Sequence, residues 1–115
     1  MSLKFRKLSE EPGESFEEEG QRGVNSVMAV TKKENISGYS CRILRFEPTG
    51  ATAFHEHDRE HFVFVLSGKI RVETGTEIKE VSPGEIIHIP SNVEHRFVNS
   101  SKKRAAIMVQ NIFYE

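Results

Sequence analysis

The chain has 115 residues and a mass of 13.1 kDa, with 37% hydrophobic and 29% charged residues, the make-up of one ordinary globular domain. That length buries a real core without disulfides or a structural metal. Sixteen basic against seventeen acidic residues leave a net charge of −1, which argues against nucleic acid as a partner and against attraction to a membrane by bulk charge.

Residues 1–23 are polar and carry a glutamate run at 17–19 between Pro12, Gly13, Gly20 and Gly23. They read as an N-terminal arm laid over a sheet edge, ahead of a barrel domain at 24–115. The opening MSLKFRKLSEEPGE has basic residues but no apolar stretch behind them, so no secretory signal is expected. With one cysteine, Cys41, no internal disulfide is available, and a cytoplasmic location is expected. Cys41 itself reads as a small core residue on an alternating strand. The absence of tryptophan excludes a tryptophan-lined sugar platform.

From residue 24 onward, short runs rich in Val, Ile, Phe and Thr alternate with Gly, Pro, Asn and Ser. The runs fall at 24–30, 39–46, 62–66, 69–73, 78–81, 86–89, 95–99 and 105–113. The breaks fall at 35–38, 48–50, 67–68, 74–75, 82–84, 90–92 and 99–101. This spacing predicts an antiparallel all-β sandwich or barrel. No window sustains a helical apolar period, so little helix is expected. The run 62–66, Phe-Val-Phe-Val-Leu, is the longest apolar stretch and is far short of the roughly 20 residues that span a bilayer. It is apolar on both faces, so one face fills the barrel. The other needs a cover, either the arm or a second subunit, and a homodimer is expected.

Three histidines fall within residues 55–61: His55, His57 and His61. On a strand, His55 and His57 share a face with Cα atoms roughly 6.5 Å apart, close enough for both rings to reach one ion. A straight strand would carry His61 roughly 13 Å away. The chain therefore has to turn at Asp58, Arg59 and Glu60. His61 then opens the next strand and points back at the same centre. His57-Asp-Arg-Glu60-His61 also matches the H-x-x-E-H pattern of a class of zinc peptidases. That chemistry requires a helix, and the Phe-Val-Phe-Val that follows is strand-forming.

A second stretch reads Gly84-Glu-Ile-Ile-His-Ile-Pro90-Ser-Asn-Val-Glu-His95-Arg-Phe-Val-Asn99. Together the two stretches resemble the cupin superfamily of small β-barrels. Gly50, His55, His57 and Gly68 match the first family motif; Gly84, Pro90, His95 and Asn99 match the second. The resemblance runs from about residue 24 to 113 and implies an antiparallel double-stranded β-helix, or jelly-roll barrel. The spacing from Gly50 to His55 is one residue shorter than the commonest one. Asn92 replaces a glycine, and Asn tolerates the left-handed turn required there. His61 stands where the family usually has glutamate, and Glu60 is one residue off register. The resemblance is therefore to small single-domain cupins with four histidine ligands, here His55, His57, His61 and His95.

Four neutral imidazoles would leave a divalent ion at +2, a stronger Lewis acid than one with a carboxylate ligand. One divalent transition metal per chain is expected: Zn, Cu, Fe or Ni by ligand type, with Mn implied by the resemblance. Phe97 shares the face of His95, and Phe46 and Met108 join it as candidate pocket residues, with Phe54 a further one. His88 and Glu60 are candidates for a supporting role around the metal ligands. Arg45 and Arg59 are candidates to anchor a carboxylate. No general base stands out. The expectation is a metal-dependent enzyme acting on a small organic molecule, either dioxygenase-like or isomerase- or cyclase-like. The alternatives are a non-catalytic binding or sensor module and a zinc that only closes the barrel.

Overall fold

The computed structural model describes residues 3–15, 18–31, 34 and 36–113. Glu17, the break residue Asn35 and the last two residues of the expected barrel domain lie outside these. Eight strands occupy the eight apolar runs: β1 (Arg22–Val30), β2 (Tyr39–Ala51), β3 (Glu60–Ser67), β4 (Ile70–Thr74), β5 (Ile78–Val81), β6 (Ile86–Ile89), β7 (His95–Val98) and β8 (Ala105–Ile112). Among the described residues helical conformation is confined to a 3-10 turn at Leu8–Glu10 and to Glu34, and no helix is long and apolar enough to cross a membrane.

All strand pairings are antiparallel, and the sheet runs β5-β4-β7-β2-β8-β3-β6, with β1 on β2. It curls into a nearly closed barrel. β2 makes the curl possible. Residues 39–46 pair with β8, whereas Ala51 pairs with Val98 of β7. Between them Thr49 takes φ 63°, and Gly50 lies so close to the neighbouring backbone that a Cβ would meet the Gly23 carbonyl oxygen at 2.6 Å. The sequence pattern stops this strand at Pro48. The chain instead bends there and continues, so one strand serves both halves of the barrel.

Gly68 is needed for a second reason. Its φ is +73°, and a Cβ would meet that of Ala105 at 2.8 Å, so the β3–β4 turn tolerates no side chain there. Asn92 sits at φ 64°, as expected for an asparagine in place of the motif's glycine. Asn99 is fully buried and holds the β7–β8 loop: its Nδ2 donates to the carbonyls of Glu47 (3.0 Å) and Lys103 (2.7 Å).

The N-terminal arm lies along β1. Glu14 and Ser26 exchange backbone hydrogen bonds of 2.8 and 2.7 Å. Arg6 donates to the carbonyls of Met28 and Ala29 at 2.8 and 2.9 Å. β1 itself opens at Arg22, so residues 22–23 belong to the sheet.

The barrel interior changes character along its axis. On β3 and β8 the inward pairs are His61 opposite Asn111, Val63 opposite Val109 and Val65 opposite Ile107. On β2 the inward side chains are Arg42, Leu44 and Phe46, opposite Val109, Ile107 and Ala105. One end is therefore polar, and the other is a dry core that contains Phe46, Ile70, Val63 and Ile107, each at most 1% exposed.

Candidate metal centre

The polar end holds the histidines. β3 presents His61 as its second residue, and β7 presents His95 as its first. Residues 57–61 are not helical: Asp58 and Arg59 form a bend, and β3 begins at Glu60. That bend brings the His57 ring to 5.2 Å from His61 and 5.6 Å from His95, with His61 and His95 5.0 Å apart. One donor atom from each of His57, His61 and His95 lies within 4.8 Å of the others. Nitrogens on one ion at about 2.0–2.1 Å stand at most about 4.2 Å apart, so closure needs side-chain shifts of under about an ångström.

The hydrogen bonds fix which nitrogens face inward. Asn111 Oδ1 lies 2.6 Å from His61 Nδ1. An amide oxygen only accepts, so Nδ1 carries the proton and Nε2 the lone pair. That Nε2 is buried and has no hydrogen-bond partner among the described residues. His95 Nδ1 is likewise 2.8 Å from the Val93 carbonyl, leaving its Nε2 as the donor atom. Burial, together with the neighbouring Arg59 and histidines, pushes the His57 pKa down to about 4. Burial and the nearby His95 push His61 down to about 4, against the opposing Asn111 hydrogen bond. Burial also lowers His95. All three rings are thus neutral near pH 7, the form that ligates metal. An orphaned lone pair, oriented tautomers and an all-imidazole donor set fit a divalent transition ion.

His55 stands beside this trio. Its backbone pairs with His95, and its ring stacks on His57 at 5.3 Å. Its Nε2, however, is 3.2 Å from Glu18 Oε2 of the arm. The structure brings three of the four expected ligands together and gives the fourth a carboxylate partner.

A cavity of about 150 Å³ opens onto the cluster, and the lining includes Phe97, Thr52, Arg42, Arg59, Glu18 and Gln21. Phe97 lies where the sequence placed it, its ring 5.6 Å from His95. Phe46 and Met108 do not line this cavity. Phe46 faces inward but lies at the dry end. Met108 alternates with the inward Ile107 and Val109, so it faces outward between Ile43 and Phe64. Phe54 is 43% exposed, with the Arg96 guanidinium 4.7 Å over its ring. Glu60 and His88 are not brought to the histidines either. They bond each other at 2.7 Å on the outer face, where His88 stacks on Phe62. Glu60 neighbours His61 along the strand and so points the other way. Arg45 is engaged outside the cavity, with Asn25 and the Glu11 carbonyl.

Asn111, Arg42 and Glu18 escape the sequence reading. Asn111 and Arg42 carried a signal, being polar residues at inward positions of apolar strands. Glu18 carried none, because the fold-back of the arm has no periodic trace.

A small antiparallel barrel with histidines converging at one end is the architecture of a cupin. A cupin domain family model matches residues 42–110, more than half of the chain, and the chain belongs to that family. Among solved structures it is similar to the polyketide cyclase RemF of Streptomyces resistomycificus, at 23% identity and a TM-score of 0.85 over 96% of this chain and 80% of that one. A predicted oxalate decarboxylase of Thermotoga maritima aligns with a TM-score of 0.85 at 15% identity, over 94% of this chain and 97% of that one. Identities this low speak for the fold. In sequence, 53 residues are 28% identical to an uncharacterized protein of Streptomyces coelicolor, covering 46% of this chain and half of that protein's length.

Proposed function

We propose that this chain is a metal-dependent enzyme acting on a small oxygenated organic molecule, with a divalent transition metal held by His57, His61, His95 and His55. The observation that supports it most is the buried, unpartnered Nε2 of His61 converging with two other neutral imidazoles. His55 completes the set by exchanging Glu18 for the ion. When bound, the ion supplies Lewis acidity toward a substrate oxygen.

That exchange frees the Glu18 carboxylate at the cavity wall, where it serves as the proton acceptor that the sequence did not reveal. Its position favours proton-transfer chemistry, isomerase- or cyclase-like, over oxygen activation. The similarity to a polyketide cyclase agrees with that choice. The outer side of β3 and its neighbour β6, with Leu66 and Ile86 50% and 55% exposed, is the surface we assign to a homodimer contact.

Metal content per chain by inductively coupled plasma mass spectrometry, on untagged protein, tests this reading. About one ion per wild-type chain is expected, none in His95→Ala and an unchanged content in Glu60→Ala. Deuterium exchange of an enolisable diketone, followed by NMR, should then require both metal and Glu18. Oxygen uptake in place of exchange would shift the assignment to an oxygenase. A loaded protein with neither activity would be a binding module, and tightly held zinc without exchangeable water a structural site.

A further inference from the structure

Of the eight arginines in the chain, six have hydrogen-bond partners: Arg6, Arg22, Arg45, Arg71, Arg96 and Arg104. The other two, Arg42 and Arg59, have none among the described residues, and both line the histidine cavity. Arg59 Nε is buried without an acceptor, and its guanidinium lies 5.3 Å over the Phe113 ring. Arg42 projects inward from β2, in phase with Leu44 and Phe46. Burial, and after it the Arg42 charge, lower the pKa of Arg59.

Two guanidiniums facing one cavity without a counter-charge repel each other, and the buried Arg59 Nε forgoes its hydrogen bond. Elsewhere this chain pairs its arginines. Among the described residues of the cavity lining, Glu18 is the one acidic side chain, and it is engaged by His55. The described lining therefore carries a net positive charge before any metal enters, and a divalent ion adds to it.

We propose that Arg42 and Arg59 form an anion subsite for the carboxylate of a small organic acid. The acid's second oxygen donor, an enolate, keto or second carboxylate oxygen, points at the histidine cluster. A planar guanidinium offers paired N–H donors matched to a carboxylate, and two of them suit its two oxygens. About 150 Å³ is below the roughly 300–1,000 Å³ of common ligand pockets, so the ligand is small. The inference rests on the reading of this cavity as the substrate site. It stands apart from metal identity, because the arginines bind anions with or without the ion.

The test uses malonate as the probe and malonamide as its neutral counterpart, by isothermal titration calorimetry on metal-free and metal-loaded full-length chain in low-chloride buffer. Wild type should bind malonate saturably, tighter than about 10 mM, and should not bind malonamide. Arg42→Gln and Arg59→Gln should each weaken malonate about 10- to 100-fold, and the double variant should abolish binding. Arg42→Lys and Arg59→Lys, which keep the charge, should fall between Gln and wild type, and thermal melts check that each variant is folded. Wild-type affinity in a folded double Gln variant, equal binding of malonamide, or no saturable malonate binding by wild type would each overturn the proposal. Failure of the metal reading shows separately, as absent metal in wild type while malonate binding stays arginine-dependent.

Discussion

Asn111→Leu isolates the device that orients His61. Asn111 is 4% exposed, accepts from His61 Nδ1 at 2.6 Å and donates to Ser40 Oγ at 3.2 Å. Leucine keeps the approximate volume and removes both bonds. The Nδ1 proton then loses its acceptor, and the ring is free to take the other tautomer or to rotate. Loss of such an outer hydrogen bond typically lowers metal affinity about 10- to 100-fold, or about 1.4–2.7 kcal/mol. The upper part of that range is expected here, because the bond is short and buried. Without metal, leaving the buried N–H unpaired costs about 1–3 kcal/mol, a melting shift of roughly 5–20 °C for a domain of this size. Asn111→Asp keeps an acceptor and should hold metal far better than the leucine variant. Chelator competition measures the affinity and thermal denaturation the stability. A folded Asn111→Leu chain that binds metal within about twofold of wild type would refute the orienting role, as would equal losses in the Leu and Asp variants.

Two further outcomes follow from burial. His57 and His61 have folded pKa values of about 4 against an ordinary 6.5, so the unfolded chain takes up protons first as pH falls. The metal-free protein should keep its full histidine-linked stability above about pH 6.5, lose it progressively towards pH 4 and change little from these groups below that; a His57→Gln/His61→Gln chain should flatten the slope of Tm over that window, and an unchanged slope would contradict the assigned burial. Ile107→Ala, at a position with 0% exposure in the dry end, should cost about 2–5 kcal/mol in urea unfolding, while metal affinity of the folded variant stays near wild type because the layer containing Val63 and Val109 separates it from His61; a large loss of metal affinity there would show that the two ends are not independent.

The sequence alone determined where the strands fall along the chain and the local chemistry. Alternation of Val, Ile and Phe against glycine- and proline-bearing breaks is a local signal, and all eight runs became strands. The bend at Asp58–Arg59 was also legible, because three histidines on one ion cannot be reached by a straight strand. The phase of His61 against Glu60 gave the inward residue correctly, since side chains alternate along a strand whatever surrounds it. Only the tertiary structure decided the rest. β2 continues past Pro48 because Thr49 and Gly50 bend the strand so that it joins two partners, and nothing local announces that pairing. Phe97 was set apart by sharing the face of His95, but Phe46 and Met108 carried no local mark of which way they face. Barrel depth separates Phe46 from the cavity, and strand phase relative to the fold's axis puts Met108 outside. Glu18 of the arm meets His55, and Arg42 of β2 and Arg59 of the bend before β3 come to line one cavity. Such contacts depend on chain closure, which brings side chains together at distances that no spacing along the sequence encodes.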